Sequence, residues 1–244
     1  MKKMIAAAAA LVLVCGAVFA GDFYNGDIQL KLGVGIDSVK LSSKTLNKLT
    51  NEDKDYDFTK STVVDFGLES WHLFKPIDLL GVGFMLDFDI GTCGGSFGPN
   101  FSSKADVVTA ALGFYDVHGK NTFNFNFAIG PAVGLYLANI VRIGATFGFN
   151  AGVNLDTFRA YRTVYEYGYI SNEYSSDYFF WSGYAGFVFG LQAKFLPNSV
   201  INPIVGWKFV KGFSDTLNQN GHVYTDIDYK FTKNTFYIAL SFSW

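Results

Sequence analysis

Apolar and polar residues alternate with a period of two along most of the chain. Ile28, Leu30, Leu32, Val34 and Ile36 alternate with Gln29, Lys31, Gly33, Gly35 and Asp37. In residues 80–91, Leu80, Val82, Phe84, Leu86, Phe88 and Ile90 oppose Gly81, Gly83, Met85, Asp87, Asp89 and Gly91. In 141–156, Val141, Ile143, Ala145, Phe147, Phe149, Ala151, Val153 and Leu155 oppose a face of Arg142, glycines, Thr146, asparagines and Asp156. The same division runs through 123–135, 185–195 and the terminal NTFYIALSFSW, and more weakly through 63–71 and 203–210. A period of two is the signature of a strand with two unlike faces.

Three features direct these strands into a membrane. They run for about ten residues or more, whereas strands of soluble proteins average about five or six; a tilted strand needs roughly 9–11 to cross a bilayer. The second face, rich in Gly, Asn and opposed charges, suits a narrow polar interior. The connections alternate between short and long, as in barrels with short periplasmic turns and longer extracellular loops. The expected fold is all-β, a closed antiparallel up-and-down transmembrane β-barrel. Lipid solvates its apolar face and closure satisfies every backbone hydrogen bond.

A simple scan finds nine strands, the extra one being Val107–Tyr115. With both termini on the periplasmic side the count must be even. Working backwards from Trp244 and forwards from 28–38, the two directions agree only if 92–121 is one extracellular excursion. Residues 105–119 then form a loop, a short helix or a hairpin above the membrane. Eight strands remain, at 28–38, 61–71, 80–91, 122–136, 141–156, 178–195, 203–210 and 234–244, with three turns and four outer loops. The alternative is ten strands, with one hidden in the loop regions.

An eight-stranded interior is only wide enough to be filled by side chains or to hold one small ligand. Parity turns Lys31, Asp37, Asp65, Glu69, Asp87, Asp89, Asn124, Asn126, Arg142, Asn150, Gln192, Lys194 and Lys208 inward. Lys31, Asp65, Glu69, Asp87, Asp89, Arg142, Asn150, Lys194 and Lys208 are the lumen-lining candidates, with Arg142, Asp87 and Asp89 foremost. Acids and bases occur in comparable numbers, so pairing across the lumen is expected, because an unpaired charge there is costly. The inward Gly144, Gly148, Gly152, Gly186 and Gly190 either leave room for a greasy ligand or ease tight curvature.

Composition agrees with this picture. Half the residues are hydrophobic, 18% are aromatic and only 16% are charged, against about 25% charged in soluble domains. Residues 1–20, MKKMIAAAAALVLVCGAVFA, have the basic start, short apolar core and small-residue cleavage site of a signal peptide. A lipoprotein signal centred on Cys15 is disfavoured by the bulky Val14. The mature chain, 21–244, is then a single barrel domain in the outer membrane. It keeps only Cys93, so no intrachain disulfide is expected. The apolar stretch 128–147 contains Pro131, Asn139, Arg142 and glycines, unlike a membrane helix. The net charge of −2 gives no case for nucleic acid.

The loop 157–177 concentrates Tyr161, Tyr165, Tyr167, Tyr169 and Tyr174. Tyrosine offers a large amphipathic contact area at small entropic cost, so these are the extracellular binding candidates. The competing reading is an aromatic belt with strand extensions above it, and Phe179–Trp181 fit that belt. His72, His118 and His222, with Asp116, Ser214 and Asp215, show no spacing that marks a triad. No metal-ligand spacing is present, and no glycine-rich phosphate loop precedes a helix. No catalytic residue, metal or cofactor is expected, and the chain is not read as an enzyme.

GDIQLKLGVGIDSV at 26–39, FNFNFAIGPAVGLYL at 123–137 and the terminal FYIALSFSW resemble the small eight-stranded outer-membrane barrels of the OmpW and opacity-protein type. The nearest resemblance is to their treponemal relatives. It implies a bacterial outer-membrane location, loops facing the cell exterior, and either small-solute passage or surface contacts. The terminal strand resembles the one by which the barrel-assembly machinery recognises its clients. Outer-membrane lipid is the other expected partner. The function expected first is passage or binding of small solutes, hydrophobic ones included. The alternative is an adhesin whose barrel anchors loops that bind a host or matrix ligand.

Overall fold

A computed structural model describes residues 24–42, 56–94, 99–101, 115–138, 140–166, 169–219, 222–225 and 227–243. The strands are β1 (Tyr24–Ser42), β2 (Tyr56–Ile77), β3 (Leu80–Gly94), β4 (Asn100–Phe101), β5 (Tyr115–Leu137) and β6 (Val141–Glu166). They continue with β7 (Tyr169–Phe195), β8 (Ile201–Ser214), β9 (Leu217–Gln219), β10 (His222–Tyr224) and β11 (Asp228–Ser243). Eight of these form a ring in the order β1, β2, β3, β5, β6, β7, β8, β11. The seam runs antiparallel from Asp27 opposite Ser243 to Ser42 opposite Asp228, so the first and last wall strands leave no edge between them. The short β4 lies on β2 at Thr59 and Lys60, and the β9–β10 hairpin lies on β7 at Phe180 and Trp181.

The eight wall strands are those expected from the alternation, and the connections that follow Ile77, Leu137 and Phe195 share one end with the termini. The outward faces carry an apolar band: Ile28 to Ile36 on β1, Val64 to Leu68 on β2, Phe236 to Phe242 on β11, and their counterparts elsewhere. Soluble monomers rarely expose contiguous apolar surface beyond a few hundred Å². A band encircling a closed ring is a lipid-facing surface.

Strand ends depart from expectation. The stretch 157–177 is not a loop: β6 continues to Glu166 and β7 starts at Tyr169, paired through Arg162 opposite Tyr174 and Thr163 opposite Glu173. A hairpin supplies its own partner strand, and Thr, Val and Tyr suit one. The expected turn at 72–79 shrinks because Leu73 is fully buried inside and Phe74 pairs with Val82. Tyr115–Gly119 extends β5, within the segment 105–119 for which a loop, a short helix or a hairpin above the membrane is expected. Residues 102–114, the signal segment and Trp244 lie outside the described residues.

The reason for the longer strands is a change of phase. Near the short-turn end and in mid-wall, inward residues are mainly polar and outward ones apolar. Beyond Asp37, Asp156 and Lys233 the inward residues become Val39, Leu41, Phe158, Ala160, Phe231 and Tyr229, all buried. The outward ones become Lys40, Arg159 and Lys230. The wall is inside-out within lipid and ordinary protein above it. Pro131, on the outer face of β5, sits where the β5–β6 pairing skips from Ile129–Phe149 to Ala132–Thr146, so its missing N–H breaks no ladder bond there.

Candidate functional site

The interior is built in tiers. Nearest the termini, the Asp27 carboxylate accepts from Arg142 Nη1 at 2.8 Å and from Lys194 Nζ at 2.9 Å, all three fully buried. Lys194 also donates to Ser243 Oγ at 2.6 Å, which joins β7 to the end of β11. The Trp71 ring lies 4.9 Å from the Arg142 guanidinium carbon, and its indole N–H donates to Glu69.

In mid-barrel, Lys31 contacts Glu69 at 2.9 Å, Asp89 at 2.9 Å and Asp87. Lys208 reaches Asp87 at 2.5 Å and also bridges to Asp89. Tyr237 stands beside them, its ring 5.4 Å from Lys31 Nζ and its hydroxyl donating to Gln192 at 3.3 Å. The cavity between Lys31, Asp65, Asp89, Lys208 and Tyr237 is about 10 Å³, at the threshold for a single water.

The next tier joins Lys233 to Asp65 and, at 2.7 Å, to Asn124, whose amide donates to Asp37. Asp156 accepts from Thr122 at 2.6 Å and Thr59 at 2.9 Å. Above this, Phe158 stacks on Phe180 at 4.5 Å, Phe58 meets Phe180 edge-on at 5.1 Å and Tyr184 stacks on Phe231 at 4.6 Å. The ionic tiers are therefore capped by an apolar core.

All nine lumen-lining candidates point inward and are buried. Asn150 donates to Asn126 at 3.0 Å. The room beside several inward glycines is occupied by aromatic rings: Trp71 covers Gly144, Tyr184 covers Gly152 and Gly212, and Tyr237 covers Gly206. Gly148 and Gly186 instead allow close backbone approach, to Ile129–Gly130 and to Lys211–Gly212 respectively. The buried bases are Lys31, Arg142, Lys194, Lys208 and Lys233, and the buried acids are Asp27, Asp37, Asp65, Glu69, Asp87, Asp89 and Asp156. Among the described residues, seven acids and five bases are thus buried inside.

Parity could have found Asp27 and Lys233, which lie one step beyond the apolar runs that begin at Ile28 and Asn234. Trp71, Tyr184 and Tyr237 are inward by the same rule, but their glycine partners come from the far wall or a neighbouring strand. Among the loop tyrosines, Tyr161 and Tyr165 lie on β6 and Tyr169 and Tyr174 on β7, while Tyr167 is outside the described residues. His118 pairs in register with Arg159 and His222 with Gln219, placing β6, β7 and β9 between them, and His72 stacks on Phe84 at 4.7 Å. The histidines are not brought together. Above the apolar band, Lys120 at 2.5 Å and Arg159 at 3.0 Å both donate to Asp177. Those hydrogen bonds hold its exposed carboxyl below the ordinary value.

No protein-family model matches the chain, and no curated protein does. Ail, the attachment invasion locus protein of Yersinia pestis, is 12% identical, with 89% of this chain and 99% of Ail covered and a TM-score of 0.38. The outer membrane protease OmpT from Escherichia coli is 10% identical, with coverage of 92% and 98% and a TM-score of 0.45. The outer membrane protein OprG from Pseudomonas aeruginosa is 10% identical, with coverage of 89% and 96% and a TM-score of 0.40. At these values the likeness carries no argument about ligand or activity. The register of the strands themselves makes the chain an eight-stranded antiparallel transmembrane β-barrel, similar to small outer-membrane barrel proteins.

Proposed function

We propose that the protein is an outer-membrane anchor whose β6–β7 hairpin is a binding surface for a host or matrix molecule outside the cell. The observation that carries this reading is the length of that hairpin. Its pairing runs from Val141–Phe195 to Glu166–Tyr169, while the apolar band ends near Leu155 and Phe179. Ten further residues of β6 extend roughly 33 Å along the strand; Tyr161 and Tyr165 lie on this extension, and Tyr169 and Tyr174 on the part of β7 that pairs with it. The filled lumen weighs against passage of small solutes through the barrel. The separated histidines give no support to catalysis.

The test is a variant in which Tyr161 and Ser175, which face each other in register, are joined by Asn-Gly, a strong two-residue hairpin turn. Cells displaying the native protein should bind immobilised laminin, fibronectin or collagen at least tenfold more than cells displaying the shortened form. Both should show the heat-modifiable gel migration of a folded barrel, and the native protein should be silent in planar bilayers. Binding unchanged by shortening, or discrete channels from the native protein, would overturn the reading.

A further inference from the structure

Inside the barrel, every acid of the two tiers nearest the termini is bridged by a base. Asp27 meets Arg142 and Lys194, Glu69 meets Lys31, and Asp87 and Asp89 meet both Lys31 and Lys208. In the third tier Lys233 bridges Asp65. Asp37 and Asp156 are the two buried acids that remain, and among the described residues no lysine or arginine bridges either. Lys233 stands opposite Asp37 in the seam register, but its ammonium is directed to Asp65 and, at 2.7 Å, to Asn124 Oδ1. Asp156 accepts from neutral donors, Thr122 at 2.6 Å, Thr59 at 2.9 Å and Asn154 at 3.2 Å. The excess of two acids in the lumen is therefore confined to one place.

Three oxygens in that place have no hydrogen-bond partner: Asp37 Oδ1, Asn154 Oδ1 and the Tyr229 hydroxyl. Asp37 lies within electrostatic range of Asp156. Ser61, opposite Asp37 in register, is 2.8 Å from Thr122, which stands opposite Asp156 and donates to it. Asn154 joins the group through its own bond to Asp156, and the Tyr229 hydroxyl, from β11, is in range of Asn154, Asp156 and Asp37. Asp37, Asn154, Asp156 and Tyr229 are all buried. The Phe158–Phe180 and Tyr184–Phe231 stacks close the tier on its outer side. In the mid-barrel cluster, by contrast, no side-chain atom of Lys31, Glu69, Asp87, Asp89 or Lys208 is left without a partner. Orphan oxygens and excess negative charge thus coincide.

A buried carboxylate without a counter-charge is costly, and so is a buried oxygen without a partner. A cation relieves both at once. We propose that Asp37 and Asp156, with Asn154 Oδ1 and the Tyr229 hydroxyl, hold a Ca²⁺ ion beneath the aromatic cap. The double charge of the ion cancels the two acids. No group of three acids, histidines or cysteines forms among the described residues, so neutral oxygens complete the donor set. Carboxylates with amide and hydroxyl oxygens, without nitrogen or sulfur, suit a hard cation. Mg²⁺ demands near-ideal octahedral geometry and gives up its waters reluctantly, so a closed and irregular set favours Ca²⁺. The ion ties β1 to β6 and β11 at the level where the inward residues change from polar to apolar.

The protein is refolded with millimolar CaCl2 in a zwitterionic detergent free of lipopolysaccharide, passed over a chelating resin and analysed for calcium by atomic absorption. The folded parent should keep one Ca²⁺ per chain, and so should D177N, whose acid lies outside the barrel. D37N and D156N should keep none. Tyr229→Phe leaves the ring packed in the apolar core and removes one oxygen, so it should release its ion to EGTA faster than the parent does. Heat-modifiable migration identifies the folded fraction of each protein. A folded parent without Ca²⁺ would overturn the proposal and leave protons as the counter-charge of the two acids. So would calcium kept in full by D37N and D156N, lost equally from D177N, or released from Y229F as slowly as from the parent.

Discussion

The indole of Trp71, rising from β2, fills the space that Gly144 leaves on β6: a Cβ at Gly144 would lie 2.6 Å from Cη2 of that ring. The two strands are not neighbours in the wall, so the pair ties opposite sides of the barrel together. Trp71→Ala should cost about 3–5 kcal/mol, as for other buried aromatic truncations. Gly144→Ala should also destabilise, because the ring must move. The double variant should lose less than the sum of the two, a coupling that urea unfolding in vesicles would measure. Strict additivity would remove Trp71 from this role.

Asp27 is the shared partner of Arg142 and Lys194, so Asp27→Asn leaves two buried cations facing each other. A loss of about 3–5 kcal/mol is expected. Arg142→Met should cost less, since Lys194 keeps its acid. D27L/R142M/K194M should recover most of the stability, because apolar groups can replace a buried ion cluster without loss. Equilibrium unfolding of the three proteins gives the order, and a D27N barrel as stable as the parent would contradict it.

Which side of the wall each residue faces was legible in the sequence, because the bilayer imposes one rule on every strand. Lys31, Asp87, Arg142 and Lys208 follow from parity alone. What parity could not give was where the strands stop. At Asp37–Val39, Asp156–Phe158 and Lys233–Phe231 the inward residue changes from polar to apolar, and a search for one continuous pattern ends there although the backbone continues. Nor could alternation show that Tyr184 fills the volume beside Gly152, its register partner on β6, or that Trp71 fills the volume beside Gly144. The second of these is set by the ring geometry, which brings the non-neighbouring β2 and β6 face to face. The filled lumen is a tertiary fact written in locally ambiguous glycines.

Two glycines should respond in opposite ways to the same substitution. A Cβ on Gly148 would lie 2.4 Å from the Ile129 carbonyl oxygen and 2.9 Å from Gly130 Cα, both backbone atoms of the neighbouring strand. Gly148→Val should therefore block the approach of β5 and β6, and the folded, heat-modifiable species should be lost. On the outer face, a Cβ at Gly183 has its nearest contact at 3.9 Å. Gly183→Val should fold as the parent does. Equal yields of folded G148V and G183V would mean that the β5–β6 contact is looser than described.

Asp177 clamps three strands, with Lys120 from β5 and Arg159 from β6 both donating to it on β7. Its carboxyl is held below the ordinary value by those hydrogen bonds. The contribution is therefore complete above the unfolded pKa of about 4 and is lost as pH falls through the lower folded value. The group is fully exposed, so the effect on hydrogen-exchange protection across 157–177 should be only fewfold and weakened by salt. Asp177→Asn at pH 7 should reproduce the loss seen in the parent at low pH, once intrinsic exchange rates are normalised. Lys120→Gln should produce part of it. If the hairpin of D177N exchanges as slowly as that of the parent at pH 7, the clamp is not what keeps β6 and β7 paired above the membrane.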